Sequence, residues 1–289
     1  MGKKLKKKDL KPIERNTPLF QKAKKFGWIT RLPIFKQLYR KKHYPRGFDT
    51  EAAQYIPVNL KVGDYGSEVI PLKLMDYFIE KAGTIVIRDC PCRVTNDCKN
   101  HEKDLGCIWM GKGAANLDLK NLPGAAKEAR YATKDEAKAH VRAALKDGLA
   151  PALGKLRGDA TVYNVLEYDD EFMNFCFCCS CCCIAAGYKY GNSDFRNFVK
   201  RMPGVTFVTD PEKCVGVENC GECFKVCVYD GLDVVDGKSV HTENCLGCGH
   251  CEAACPNNAI SIKFDENLNI DDVIEGIVKR YEKIVDISG

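Results

Sequence analysis

The sequence predicts an α+β chain in which a cysteine-rich α/β domain precedes a smaller domain that repeats one unit about a pseudo-twofold axis. Three observations lead there. Two short apolar runs, TIVIRD (84–89) and TVYNVLEY (161–168), read as strands that deliver the chain into groups of cysteines. Helical patterns lie around and between them. Residues 205–264 then repeat themselves, each half reading as strand, cysteine loop, short helix, strand.

The 289 residues are 45% apolar and 29% charged, which suits a soluble globular chain with one large or two small cores. Eighteen cysteines would suggest disulfides in a secreted protein. The start MGKKLKKKDLKPIERN has no apolar h-region, so the thiols are expected to be reduced and available to metal. No apolar run reaches the roughly 20 residues that span a bilayer. Lys6 at the sixth position does not support myristoylation. Residues 1–46 carry sixteen Lys/Arg against Asp9 and Glu14, a net +14, and the remainder carries −9.

Five segments follow in order. Residues 1–58 form a basic arm in which Phe20, Phe26, Trp28, Ile29, Leu32, Phe35 and Leu38 alternate with cations, an interfacial amphipathic pattern that Pro33 interrupts. Its expected targets are a redox partner protein or an anionic membrane surface, with packing on the acidic body as the alternative; nucleic acid is the least favoured. Residues 59–192 form the cysteine-rich domain, opening with the helix VIPLKLMDYFIEKAG. A second helix is signalled at 133–147, where Thr133 and Glu136 make a capping box, Ala137, Val141 and Ala144 share a face, and Gly148 can end it. The ten cysteines of this domain are expected on loops after its strands. A polar connection, 193–204, leads to the repeat at 205–264, whose halves are joined by an Asp236-Gly237 hairpin turn. In 265–289, Asn269 caps a helix whose Ile270, Val273, Ile274, Ile277, Val278, Tyr281 and Ile284 make a docking stripe.

The most specific motif is CLGCGHCEAACP (245–256), with the C-x2-C-x2-C-x3-C-P spacing used for iron–sulfur ligation. Three thiolates two residues apart wrap three corners of a cubane, while the fourth enters a helix that aims it at a neighbouring cluster. Tetrahedral zinc usually takes two separated C-x2-C knuckles instead. This segment resembles the two-cluster, four-iron bacterial ferredoxins over about sixty residues. The resemblance implies a ferredoxin-like fold in which Cys245, Cys248 and Cys251 bind one 4Fe-4S cluster with Cys227, and Cys214, Cys220 and Cys223 bind the other with Cys255. The first half departs from the family, with five residues between Cys214 and Cys220 and Val228 in place of the proline after Cys227.

Upstream, Cys90-Pro-Cys92-Arg93, Cys98 and Cys107 precede Cys176, Cys178, Cys179, Cys181, Cys182 and Cys183. This set is similar to an uncharacterised family of anaerobe iron–sulfur proteins. In an extended chain, adjacent residues face opposite ways, so Cys178 and Cys179, or Cys181 and Cys182, are not expected to serve one cubane; two centres flanking the stretch would use both faces. Ten thiols suffice for two further clusters with two left over. Arg93 is expected either to neutralise a cluster or to pair with Asp97. His101 lies near cysteines, and His250 reads as a loop residue. GKGAAN (111–116) does not follow a clear strand and reads as a loop, so no organic cofactor is evident.

The expected function is multi-cluster electron transfer between redox partners in anaerobic metabolism, in the cytoplasm or peripherally at the inner face of the membrane. The alternatives are an iron–sulfur reductase, with an active-site cluster or thiol pair fed by the ferredoxin part, and a metal-storage or cluster-assembly protein.

Overall fold

The computed structural model describes residues 18–43, 50–57, 70–192 and 199–289. The outermost part of the basic arm, including Lys6, and the first half of the 193–204 connection lie outside these residues. The chain combines helices with one large mixed sheet and two small ones. The strands of the large sheet are β1 (Ala52–Tyr55), β2 (Ile85–Arg88), β3 (Ile108–Met110), β4 (Ala129–Tyr131), β5 (Ala150–Lys155), β6 (Met173–Cys178) and β7 (Val199–Arg201). They lie in the order β4-β2-β3-β6-β5-β1-β7. Every pairing is antiparallel except β1 with β7.

β1 and β7 lie on the far side of the boundaries expected at residues 58 and 193, so the sheet recruits both the end of the arm and the end of the connection. β1, AAQY, is the small, uncharged part of an otherwise basic segment, which lets it be fully buried between two strands.

Two basic helices precede the sheet. They are α1 (Pro18–Ile29) and α2 (Pro33–His43), and the break falls at Pro33, whose ring cannot continue α1. α1 lies on the 3₁₀ segment Ile184–Tyr190, with Phe20 buried and Asn192 Nδ2 donating to Thr30 O at 3.0 Å. Small residues permit this approach, since a Cβ on Gly27 would stand 3.1 Å from Gly191 N. Phe26, Trp28, Leu32, Ile34, Phe35 and Leu38 remain exposed.

One face of the sheet is covered by α3 (Ile70–Lys81) and, C-terminal to the short α4 (Pro91–Thr95) and α5 (Lys112–Ala115), by α6 (Lys134–Lys146). Their buried residues pack with Ile87, Ile108 and Phe175 in one core. Thr133 caps α6 with both arms of the capping box formed, and Gly148, at φ +75°, closes it. The opposite face is covered by α5, α7 (Arg157–Val162) and the 3₁₀ turn Leu166–Glu171. TVYNVLEY is therefore helical and turn-like where a strand was expected. Asn164 at φ +57° breaks the extended path, and Ala160 and Val165 are buried as a lid on Trp109. GKGAAN is also corrected, because it follows β3 and forms α5.

The repeat at 205–264 is built from β8 (Val205–Thr209), α8 (Glu222–Val226) and β9 (Leu232–Val235), then β10 (Lys238–His241), α9 (His250–Ala253) and β11 (Ile260–Phe264). β9 and β10 form a hairpin whose Asp236 and Gly237 both have positive φ, as a two-residue turn of this type needs. β8 pairs with β11, bringing the two ends of the repeat together. The chain ends with α10 (Ile270–Glu282), capped by Asn269, whose Tyr281 is fully buried and donates to Leu153 O at 3.0 Å. The expected docking stripe therefore sits on the body. No helix among the described residues is long and apolar enough to cross a membrane.

Candidate metal centres

Eight thiols of the repeat line two small cavities. One is lined by Cys214, Cys220, Cys223 and Cys255. The other is lined by Cys227, Cys245, Cys248 and Cys251. Each cavity thus takes three thiols from one half of the repeat and one from the other.

The backbone gives the same reason in both halves. α8 and α9 each start from a glycine in the left-handed conformation, Gly221 at φ 72° and Gly249 at φ 84°, which a side chain would strain. Each short helix then carries its last cysteine past its own loop. The thiols that close the halves are each approached by an N–H four residues on, Gly231 N to Cys227 Sγ at 3.3 Å and Ala259 N to Cys255 Sγ at 3.2 Å. Alternate residues of β10 serve the two cavities in the same manner: Ser239 bonds the Cys223 thiol, and the His241 Nε2 lies 3.3 Å from Cys251 Sγ. Burial pushes the Cys248 thiol up to about 12 and raises Cys245 and Cys251 as well, so these three ionise readily only with a cation among them. Four sulfur donors with N–H groups aimed at them fit a cubane.

The upstream cysteines divide according to the pleat of β6. Met173, Phe175 and Phe177 enter the helical core, while Asn174, Cys176 and Cys178 take the opposite face. At the end of the strand Cys179 turns back to the first face. There the Sγ atoms of Cys98, Cys179, Cys181 and Cys182 all lie within 4.8 Å of one another. Cys181 and Cys182, expected to point apart, have their sulfurs 3.7 Å from each other. Residues 180–182 are a turn rather than extended chain, and Cys182 N donates to Cys179 Sγ at 3.3 Å. Hydrogen bonds from Cys181 and Cys182 hold the Cys179 thiol far below its ordinary value.

On the other face Cys178 bonds Cys183, Cys90 bonds Cys92, and Cys92 lies beside Cys183. Cys107 and Cys176 form a separate pair, Sγ to Sγ 3.7 Å. The ten thiols are not confined to loops: Cys176 and Cys178 are on β6, and Cys92 is on α4. None of the eighteen cysteines forms a disulfide.

Arg93 is fully buried and lies among these thiols, donating to Phe177 O at 2.8 Å and to Leu105 O, with Cys90, Cys179 and Cys107 as its sulfur neighbours. Pairing with Asp97 is excluded, because Asp97 binds Lys99 and Lys103 instead. His101 faces Asp147, its Nδ1 3.0 Å from the backbone oxygen. His250 is the buried first residue of α9 rather than part of a loop.

Two residues outside the cysteine motifs join the halves of the molecule. Tyr55 of β1 lies 3.5 Å from Cys178 Sγ through its hydroxyl and hydrogen-bonds the hydroxyl of Tyr229. Tyr229 also lines the cavity of Cys227, Cys245, Cys248 and Cys251. Tyr229 could have been noticed in sequence as the aromatic two places after Cys227, and Ser239 and His241 from their alternation after the Asp236-Gly237 turn. Tyr55 carries no such signal, because its strand hides in the arm.

The 4Fe-4S binding domain family matches residues 238–261, which include four of these cysteines. A ferredoxin-3 of Nostoc sp. is 36% identical over 78 residues, 20% of this chain and 77% of the relative. An uncharacterised ferredoxin of Methanocaldococcus jannaschii is 38% identical over 76 residues, covering 95% of its length. The chain belongs to the ferredoxin family. Membership rests on its ferredoxin domain, about a fifth of the residues. An archaeal-type glutamate synthase [NADPH] of Thermotoga maritima is 37% identical over 71 residues, and there the match spans only 13% of the enzyme. No solved structure matches the chain. The protein is an iron–sulfur, 4Fe-4S-binding electron-transfer protein.

Proposed function

We propose that the chain carries four 4Fe-4S clusters and passes single electrons between redox partners. Cys214, Cys220, Cys223 and Cys255 would hold one cluster, and Cys227, Cys245, Cys248 and Cys251 the second, in the pseudo-twofold arrangement. Cys98, Cys179, Cys181 and Cys182 would hold a third, and Cys90, Cys92, Cys178 and Cys183 a fourth. Each cubane would supply a one-electron store whose potential depends on burial, charge and hydrogen bonds to sulfur.

The observation that carries this reading is the succession of four-thiol groups bridged by the buried pair Tyr229 and Tyr55. Tyr55 and Tyr229 are both buried between the groups, and Arg93 would offset charge where the upstream thiols meet. The exposed aromatics and cations of α1 and α2 support a docking role for the arm toward an acidic partner or an anionic membrane surface. A reductase is the second reading, favoured by the separate thiol pair Cys107 and Cys176.

Replacing Cys255 tests the crossed ligand sets. Cys255→Ala should remove the cluster of Cys214, Cys220 and Cys223 and leave that of Cys245, Cys248 and Cys251. Cluster-resolved paramagnetic resonance of the anaerobically prepared variant measures this. Loss of the other cluster would overturn the assignment.

A further inference from the structure

We propose that Cys107 and Cys176 form a dithiol–disulfide couple that receives electrons from the iron–sulfur centres and reduces a small disulfide substrate. The proposal rests on the cluster reading above for its electrons, and on the geometry of the pair for its site. Cys107 is the residue before β3, and Cys176 lies one step beyond the Ile108–Phe175 pair of the β3–β6 ladder, so the two stand opposite each other on neighbouring antiparallel strands. Residues so placed have Cα atoms about 4.5–5.5 Å apart, inside the range a disulfide spans. Their sulfurs are already 3.7 Å apart, and both residues are partly exposed. Eight of the ten upstream thiols suffice for two clusters; this pair, joined to each other across the ladder, is the natural remainder.

The surroundings differ from those of a filler cysteine. Cys176 donates to Asn174 Oδ1 at 3.6 Å, and the Asn174 amide is itself fixed by donating to Asp159 Oδ2. This holds Cys176 as the resolving thiol. Cys107, which stands just before β3 rather than within a strand, is the attacking one.

The chemistry balances. The Cys107 sulfur attacks one sulfur of the substrate and breaks its S–S bond, releasing one thiol. Cys176 then attacks the Cys107 sulfur of the mixed disulfide, releasing the second thiol and forming the Cys107–Cys176 bond. The two cysteine protons end on the two released thiols. Two electrons, one from each of two one-electron centres, and two protons from water restore the dithiol.

Anaerobically prepared full-length protein, equilibrated in mixtures of reduced and oxidised dithiothreitol and quenched with iodoacetamide, decides the matter by peptide mass spectrometry. The expected result is one Cys107–Cys176 linkage that appears over a narrow range of the mixture while iron content stays constant. Reduced protein should also convert added hydroxyethyl disulfide to thiol in a single turnover. Cys107→Ser should abolish that conversion with iron retained. If wild-type protein never forms the linkage, or if Cys107→Ser loses about four iron, the pair is a ligand set or inert and the proposal is wrong. Wild-type protein without iron that still forms the linkage would instead remove the cluster reading and the electron supply together.

Discussion

Cys178 and Cys179 are adjacent in the chain and belong to different faces of the sheet, so one peptide bond separates two thiol groups. That division could be read from the alternation of an extended chain. The convergence of Cys181 and Cys182 could not, because nothing in the residues CSCCC marks where the strand ends and the turn begins. Buried charge was equally hidden: Glu51, Lys155, Asp169 and Arg157 meet below the sheet, with Lys155 Nζ 3.0 Å from Asp169 Oδ2.

Burial lifts the Glu51 carboxyl to about 7, opposed by the Arg157 N–H and the Lys155 charge and helped by Asp169 and Asp159. An unfolded glutamate titrates near about 4.3, so the folded protein holds this proton more tightly. The resulting stability is complete below the unfolded value and is lost as pH rises through about 7. Its size is at most about 4 kcal/mol. Glu51→Gln should therefore flatten the fall in stability between about pH 5 and pH 8, measured by anaerobic urea midpoints. An unchanged slope would show that the carboxylate is stabilised by its neighbours.

At the scale of elements, local signals were strongest where side chains act on their own backbone. The capping box of α6, the Asn269 cap of α10 and the Asp236-Gly237 turn were all legible, and so was the apolar period of α3. β5 was not. Its sequence APALGK contains Pro151 and Gly154, residues that argue against a central strand. Its fit depends on neighbours outside the segment: Pro151 still offers its carbonyl to Ile56 N at 3.1 Å, and Gly154 leaves the room that the Asn174 side chain fills. The β-branched run TVYNVLEY misled for the converse reason, since burial against Trp109 outweighed a weak strand preference. Thr133→Ala removes one arm of the α6 cap and should cost about 1 kcal/mol without altering iron content, as read from denaturation midpoints of the loaded protein. No measurable cost would mean that packing of Ala137, Val141 and Ala144 alone defines the start of this helix.

The whole molecule is organised around its sheet rather than around the sequence boundaries. The arm contributes β1 and the connection contributes β7, and the last helix returns to cover the first core. Such long-range pairing leaves no trace in residue spacing, whereas the order of strand, cysteine loop, short helix and strand in each half of the repeat is local and was legible. Tyr55 and Tyr229 become neighbours only through this assembly, although 174 residues separate them. Iron and sulfide analysis of anaerobically prepared full-length protein tests the resulting account most directly. Four four-thiol groups predict about 16 iron and as much inorganic sulfide per chain. A value near about eight, confined to the ferredoxin domain, would contradict it.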